Sequence, residues 1–508
     1  LTDAHRFLFD ARAIVGPVDD KVAEIFLARE GTLSKLLRMI VGLQTQTAGT
    51  AETFNPFPLA LTGLADQWMP TILANNLLLW TAWWASAMSA YMLVSEMTRN
   101  DDGDSQLWSS LLAGGVFAFS PYIVNLYRIR SLDYGLALWI PLLFWGFIRC
   151  ARNPTLPNSL IISTTLLLLG ASNYYYLLGA TIALVVLAPR SLFPTQTSED
   201  PATRNRMLGI GVTVGVFALL PLAWSQAVSL HAVEPQIRDL FELRPGENHR
   251  NVFQMANNLG LSDWGAIPLL CCPLLLAKST LTGRGLVPRR WTFGWLGAGL
   301  LVGMLIFFGT LPTPIGEWIA DLPLLWRSRR LESTFVVVVL AGSVLGGLGA
   351  HQWGGQTPSQ AKGTNRARLL CASVLAWLTI DGAVDGWKTP DGPPVSLPDD
   401  LVDLASHHTG SLLVIGEQPG ATRLIGFHLA EWVGQSASLG TIGRANQVES
   451  ALKMGSAHRL PFFSYECGLV IVHSSIQGAD SIEHPLKSVF EDTNWSAIRA
   501  KGCDQNGP

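Results

Sequence analysis

Apolar runs of helix length, separated by very short polar breaks, fill the chain from residue 73 to residue 385. The densest stretch lies between Leu107 and Pro189. One break in it, Tyr127-Arg128-Ile129-Arg130-Ser131-Leu132-Asp133, sets two arginines and an aspartate between apolar runs. Another, Ser172-Asn173-Tyr174-Tyr175-Tyr176, interrupts a long apolar run. Water cannot solvate such a sequence. A bilayer can, because helices satisfy their own backbone hydrogen bonds and only the turns need water or headgroups. The pattern predicts ten spans, at 73–97, 107–125, 133–149, 158–171, 174–189, 207–229, 264–277, 291–309, 333–350 and 367–385. Several fall short of the ~20 residues of a straight crossing. The pair 158–171 and 174–189 reads either as two crossings or as one bent, re-entrant unit.

The flanks differ in kind. Residues 1–72 mix charged and apolar positions at helical spacing, with Phe26, Leu27, Leu33, Leu36, Leu37, Met39 and Ile40 as the apolar set. They predict amphipathic helices lying on a membrane surface. Asn55-Pro56-Phe57-Pro58 breaks that pattern, and Pro70 marks the entry to the first span. Residues 386–508 follow a linker-like run, Pro390-Asp391-Gly392-Pro393-Pro394, and read as a soluble α/β domain. Ser411–Ile415 and Gly468–His473 are short and rich in β-branched residues, as buried strands are. Asp399–Ala405 and Gln447–Met454 read as helices, and no glycine-rich phosphate loop accompanies them. The fold class predicted is mainly α: a polytopic helical membrane protein of about 10 spans with a small extracytoplasmic α/β C-terminal domain. The chain begins at Leu1 without a signal peptide. With one further span ahead of Leu1, an intact chain would have eleven.

Composition agrees with the pattern. Of 508 residues 49% are hydrophobic and 14% charged, against about a quarter charged in soluble globular chains. Mean hydropathy is +0.29. The 18 tryptophans suit membrane interfaces, where an apolar ring keeps a wet N–H. A net charge of -3 offers no footing for nucleic acid. Lys and Arg divide unevenly between alternate loops. Thirteen stand in one set: Arg99, Arg149, Arg152, Arg190, Arg204, Arg206, Lys278, Arg284, Arg289, Arg290, Lys362, Arg366 and Arg368. Eight stand in the other: Arg128, Arg130, Arg238, Arg244, Arg250, Arg327, Arg329 and Arg330. The richer set is expected on the cytoplasmic side, which leaves 1–72 and 386–508 outside. Cys150, Cys271, Cys272 and Cys371 lie in or beside apolar runs and read as small hydrophobes. Cys467 and Cys503, in the outer part, fit a disulfide or two free thiols equally.

Charge concentrates in three outer segments: Asp3, Asp10, Asp19, Asp20 and Glu24; Glu234 to Arg250; and Arg327-Ser328-Arg329-Arg330-Leu331-Glu332. With Arg128, Arg130 and Asp133 they would ring one membrane face. Carboxylates there can act as a base, and arginines can clamp phosphate oxygens. Charge at membrane depth is costly and tends to be functional or paired. The plainer readings stand beside this one. Arginines at helix ends ordinarily snorkel to headgroups, Asp19-Asp20 suit the start of a helix over 21–29, and Tyr174–Tyr176 read as an interfacial aromatic belt ahead of a sugar-stacking platform. His473 ends a strand and reads as structural.

In this order the features resemble the GT-C superfamily of polytopic glycosyltransferases, in particular its bacterial members. The likeness rests on the acidic first outer segment, the Asn-Pro turn before a span, and the Phe117–Tyr122 and Leu138–Phe144 span pair. It also rests on the Ser-Asn-Tyr-Tyr-Tyr break, the arginine turn ending Leu331-Glu332-Ser333, and the closing α/β domain. It covers roughly residues 50–480. The resemblance implies a polyprenyl-phosphate-linked sugar donor, an acceptor bound on the extracytoplasmic face, and inverting transfer. It implies an essential acid in the first outer loop, here Asp19 or Asp20, with Asp3 and Asp10 as rivals. Arg128, Arg130, Arg327, Arg329 and Arg330 would meet phosphate, with Asp133 beside them, and a divalent cation is left open as a cofactor. The expected setting is a bacterial inner membrane, with membrane lipids around the spans and protein partners reached through the outer domain. The alternatives from other classes are a non-catalytic assembly subunit of the same fold and a transporter of lipid-linked material.

Overall fold

The computed structural model describes residues 56–65, 67–69, 71–99, 104–128, 132–187, 200–240, 289–310, 331–355, 360–381, 400–401, 404, 412–415, 469–473, 486–491 and 495–500. The amphipathic helices expected before residue 56, the span 264–277, the helix over 447–454 and both outer cysteines lie outside these residues.

Twelve helices are described. They are α1 (Pro56–Ala65), α2 (Thr71–Met97), α3 (Asp104–Ala118), α4 (Pro121–Arg128), α5 (Leu132–Gly135), α6 (Trp139–Arg152), α7 (Leu156–Ser172), α8 (Tyr174–Leu187), α9 (Pro201–Leu240), α10 (Arg289–Thr310), α11 (Phe335–Gly355) and α12 (Gln360–Asp381). A 3₁₀ turn, Leu331–Thr334, leads into α11. Four strands, β1 (Leu412–Ile415), β2 (Leu469–His473), β3 (Leu486–Glu491) and β4 (Trp495–Ala500), pair in the order β1-β2-β4-β3, with β1 and β2 parallel and the other pairs antiparallel. β1 and β2 fall on the two strand runs legible in the sequence.

This is a mainly helical membrane protein. Three helices are long and apolar enough to cross a bilayer by length and composition, at Leu77–Met97, Pro201–Ala223 and Phe335–Trp353. Shorter apolar helices stand at Leu156–Ser172, Tyr174–Leu187, Trp291–Phe307 and Arg368–Leu378. Their contacts give the directions of the helices. Ser159 and Ser163 of α7 donate to the carbonyls of Met207 and Gly211 at 2.8 and 2.7 Å, so α7 and α9 run parallel. Gly299 lies against Ala341 and Gly303 against Val338, so α10 and α11 are antiparallel. α8 meets the 3₁₀ turn through Gly179 and α10 through Val186, and therefore runs back against α7 as the second arm of a hairpin.

Small residues let these helices approach. A Cβ on Gly347 of α11 would stand 2.8 Å from the Ser109 carbonyl oxygen and 2.9 Å from the Ala113 Cβ of α3. Such close backbone approach is how apolar helices gain packing energy where water supplies no hydrophobic drive. At the centre Trp295 of α10 is fully buried, edge-on to Phe144 of α6 at 5.0 Å.

The run 107–125, a single span by its pattern, divides in two at Pro121. Proline has no N–H for the carbonyl four residues back, and the Ser120 hydroxyl donates to that Phe117 carbonyl instead, at 3.0 Å. The next carbonyl, Ala118, accepts the Trp83 indole N–H of α2 at 2.7 Å, with Trp83 edge-on to Phe119 at 5.1 Å. The run 133–149 begins later than its pattern indicates: a single helical turn, α5, precedes α6. Pro56, read as a break, instead opens α1, in the first turn where a missing N–H costs nothing. α9 is the longest helix, at 40 residues, and carries Pro221 where its apolar window ends.

Two substitutions separate these supports by thermal unfolding in detergent. Gly347→Val overpacks the α3–α11 contact and costs about 3 kcal/mol. Trp83→Phe keeps the ring but loses the bond to Ala118, and costs about 1 kcal/mol.

Candidate functional site at the aromatic end of the helix bundle

The two ends of the bundle are chemically different. At one end the α2 and α6 C-termini are clamped together. The Arg152 guanidinium donates to the carbonyl of Glu96, to the carbonyl of Met97 at 3.2 Å, and to the Glu96 carboxylate at 3.4 Å. It thereby fills carbonyls that a helix C-terminus leaves open. Arg99 reaches the same carboxylate at 3.6 Å, and Glu96 is buried. Arg149 donates to Asn158 Oδ1 at 3.3 Å and lies over the Trp145 ring, while Arg368 lies over Trp108. Asp200 caps α9, where the backbone N–H groups of Ala202 and Thr203 hold its carboxyl below the usual carboxylate range. Arg99, Arg149, Arg152 and Arg368, all of the richer Lys/Arg loop set, stand at this end.

The opposite end is aromatic and built from breaks. α1, α4, α5, the start of α6, the α7–α8 turn, the 3₁₀ turn and the start of α11 converge on it. Phe57 of α1 meets Trp139 of α6 at 5.9 Å, and Tyr122 of α4 meets Phe335 of α11 at 5.1 Å, both edge-on. The Trp139 indole N–H is buried and has no hydrogen-bond partner among the described residues. Thr334 is buried against α8, where a Cβ on Gly179 would stand 3.2 Å from the Thr334 Cβ and 3.1 Å from Val337.

Asn173 makes the α7–α8 turn. Its extended backbone ends α7 while its N–H still donates to Leu169, at 2.9 Å. Its side-chain Oδ1 accepts the N–H groups of Tyr175 at 3.0 Å and Tyr176 at 3.3 Å, capping α8. One residue is thus the C-terminal flank of one helix and the N-cap of the next. Tyr174 and Tyr175 stand half-buried with ring centroids 5.8 Å apart, and Tyr176 is fully buried.

Of the site residues expected from sequence, two are placed by the described backbone. Arg128 ends α4 and Asp133 lies in α5, so both positions belong to the aromatic end. Asp19, Asp20, Arg130, Arg327, Arg329 and Arg330 lie outside the described residues. The 3₁₀ turn at the aromatic end begins immediately after Arg330 in the chain. Among the described residues no group of three or more His, Cys, Asp or Glu could hold a metal ion. Cys150 and Cys371 are free and buried. Sequence reasoning missed the roles of Trp83, Trp139 and Asn173. For Asn173 a signal was present: an Asn between an apolar helix and a fresh helical run is a capping pattern.

No family model and no curated protein matches the chain. Solved structures do. The chain is similar to ArnT from Cupriavidus metallidurans in its apo state, at 14% identity and TM-score 0.51, over 100% of this chain and 98% of that one. It is similar to the same protein bound to undecaprenyl phosphate, at 13% identity and TM-score 0.53, over the same 100% and 98%. It is similar to the arabinofuranosyltransferase AftD from Mycobacteria at 12% identity and TM-score 0.55, over 98% of this chain and 40% of AftD.

The cap predicts a graded response. Asn173→Ala lowers stability by about 1 kcal/mol, while Asn173→Asp and Asn173→Ser, which keep an acceptor, stay close to wild type in thermal melts. Arg152→Ala costs about 2–3 kcal/mol, the low end for breaking a buried ion pair because the guanidinium is partly exposed. At the level of fold, the chain is similar to ArnT and AftD.

Proposed function

We propose that this protein is a membrane glycosyltransferase that moves a sugar from a polyprenyl-phosphate-linked donor to a cell-envelope acceptor. The observation that carries the reading is the likeness to ArnT with undecaprenyl phosphate bound, which runs over 100% of this chain and 98% of that one. The separation of a basic end from an aromatic end built of helix breaks supports it. In this reading residues 73–385 cross a bacterial inner membrane many times, in about ten spans. The basic end faces the cytoplasm, and residues 1–72 and the α/β domain 386–508 lie outside.

The chemistry follows from the residue types. A carboxylate from Asp19 or Asp20 takes the proton of an acceptor hydroxyl. The freed oxygen attacks the anomeric carbon of the donor as the bond from that carbon to the phosphate oxygen breaks. The polyprenyl phosphate leaves with the electron pair, and its added charge is met by Arg128, Arg130, Arg327, Arg329 and Arg330. Asp133 orients those arginines, and a divalent cation would share the same role toward phosphate.

The reading is tested by transfer of labelled pentose or hexose from polyprenyl-phosphate donors into membrane glycans. One of Asp19→Asn and Asp20→Asn is expected to lower turnover at least about 100-fold. Arg329→Gln is expected to raise the donor KM. Wild-type rates in both aspartate variants would remove these residues as the base. No transfer by the wild-type protein, with the aspartate variants still assembling into a complex, would favour a non-catalytic subunit.

A further inference from the structure

The tyrosines of the α7–α8 turn differ from the interfacial aromatics on the rest of the chain. Trp80 and Trp84 project from the flank of α2 at 42% and 51% exposure, packed on each other at 6.0 Å. Such rings serve a membrane interface. Tyr174 and Tyr175 instead begin a helix whose first turns lie against the 3₁₀ turn, through Gly179 and Thr334. The Asn173 side-chain oxygen accepts the backbone N–H groups of Tyr175 and Tyr176, and Tyr176 behind the pair is fully buried. The two rings meet at 64° with centroids 5.8 Å apart, which makes a corner.

A corner of this kind suits a sugar ring. One face of a pyranose or furanose presents C–H groups that pack on an aromatic face, while its rim of hydroxyls seeks polar partners. Rings already packed on each other lose less freedom on binding than free ones. The turn also stands where the chemistry gathers: Arg128 and Asp133 occupy positions at the same end, and the 3₁₀ turn beneath α8 follows Arg327–Arg330 directly. Resting on the transferase reading above, we propose that Tyr174 and Tyr175 form a seat for a substrate sugar ring, its C–H face against the aromatic walls, apart from the arginines that meet phosphate. The sugar comes from the donor or from the acceptor glycan, and the two sources are separable.

The full-length protein in detergent is titrated with undecaprenyl phosphate, with the same lipid carrying a pentose or a hexose, and with soluble pentose and hexose oligosaccharides. Binding is read by native mass spectrometry. A donor seat makes a sugar-bearing lipid bind about tenfold tighter than the bare lipid. Tyr174→Ala and Tyr175→Ala abolish that difference and leave the bare-lipid affinity unchanged. An acceptor seat leaves the two lipids equal, and the alanine variants lose oligosaccharide binding instead. In either case Tyr→Phe at both positions stays within about twofold of wild type, because the ring face and not the hydroxyl makes the contact. The cap uses the backbone N–H of Tyr175, so the alanine variants keep the turn, and wild-type melting temperatures verify it. Sugar binding unchanged in the alanine variants, or lost equally in the phenylalanine variants, overturns the seat and leaves the transferase reading standing. A wild-type protein that binds neither lipid nor oligosaccharide overturns the transferase reading, and the seat with it.

Discussion

Every backbone N–H and C=O in a water-poor interior needs a partner from the chain itself. That constraint explains why this bundle is simple along its length and elaborate at one end. Within α2 or α11 the helix supplies its own bonds. Where the chain stops being helical, a side chain takes over: Ser120 and Trp83 answer the carbonyls freed before Pro121, and Asn173 closes α7 and opens α8 in one residue. At the other end Arg152 serves the last carbonyls of α2. Each break is therefore a built junction, and its direction is set by a bond that can be named.

These junctions organise the division between the ends. The basic end ties α6 to α2 and α7 through guanidinium bonds and α12 to α3 through a cation–π contact, which suit a layer of headgroups and water. The aromatic end uses rings, one-turn helices and a 3₁₀ turn, and so brings short stretches from far apart in the chain to one place. Among the described residues the breaks inside apolar runs, before Pro121 and at Asn173, both fall at this end.

Much of this was legible in the sequence. Hydrophobic runs located α2, α7, α8, α10 and α11, because nothing soluble carries such runs. The loop arginines foretold which helix ends share a side. What was not legible was local. Pro121 interrupts a run whose hydropathy is continuous, so a window that averages over residues reads one span where the backbone makes two helices. The start of α6 was missed for the same reason, since Leu132–Gly135 is apolar enough to pass as its first turn. Pro56 was read as a breaker, although at the first turn of a helix proline is a starter. Among the residues expected at the site, Arg128 and Asp133 stand out in the sequence between apolar runs, and the backbone sets both positions at the aromatic end. The partners of Trp83 and Trp139 were not, because a tryptophan's indole bond is set by a helix distant in sequence.

One helix outreaches the rest. The apolar window of α9 ends at Ala223, and the helix continues to Leu240, about 25 Å further at 1.5 Å per residue. Pro221 falls just inside that limit and removes one rung of the ladder, the bond to Phe217. A second proline, Pro235, removes another rung nearer the far end. The helix is thus a mast stepped in the bundle, with one soft joint at deck height, where packing against α7 gives way, and a second further up.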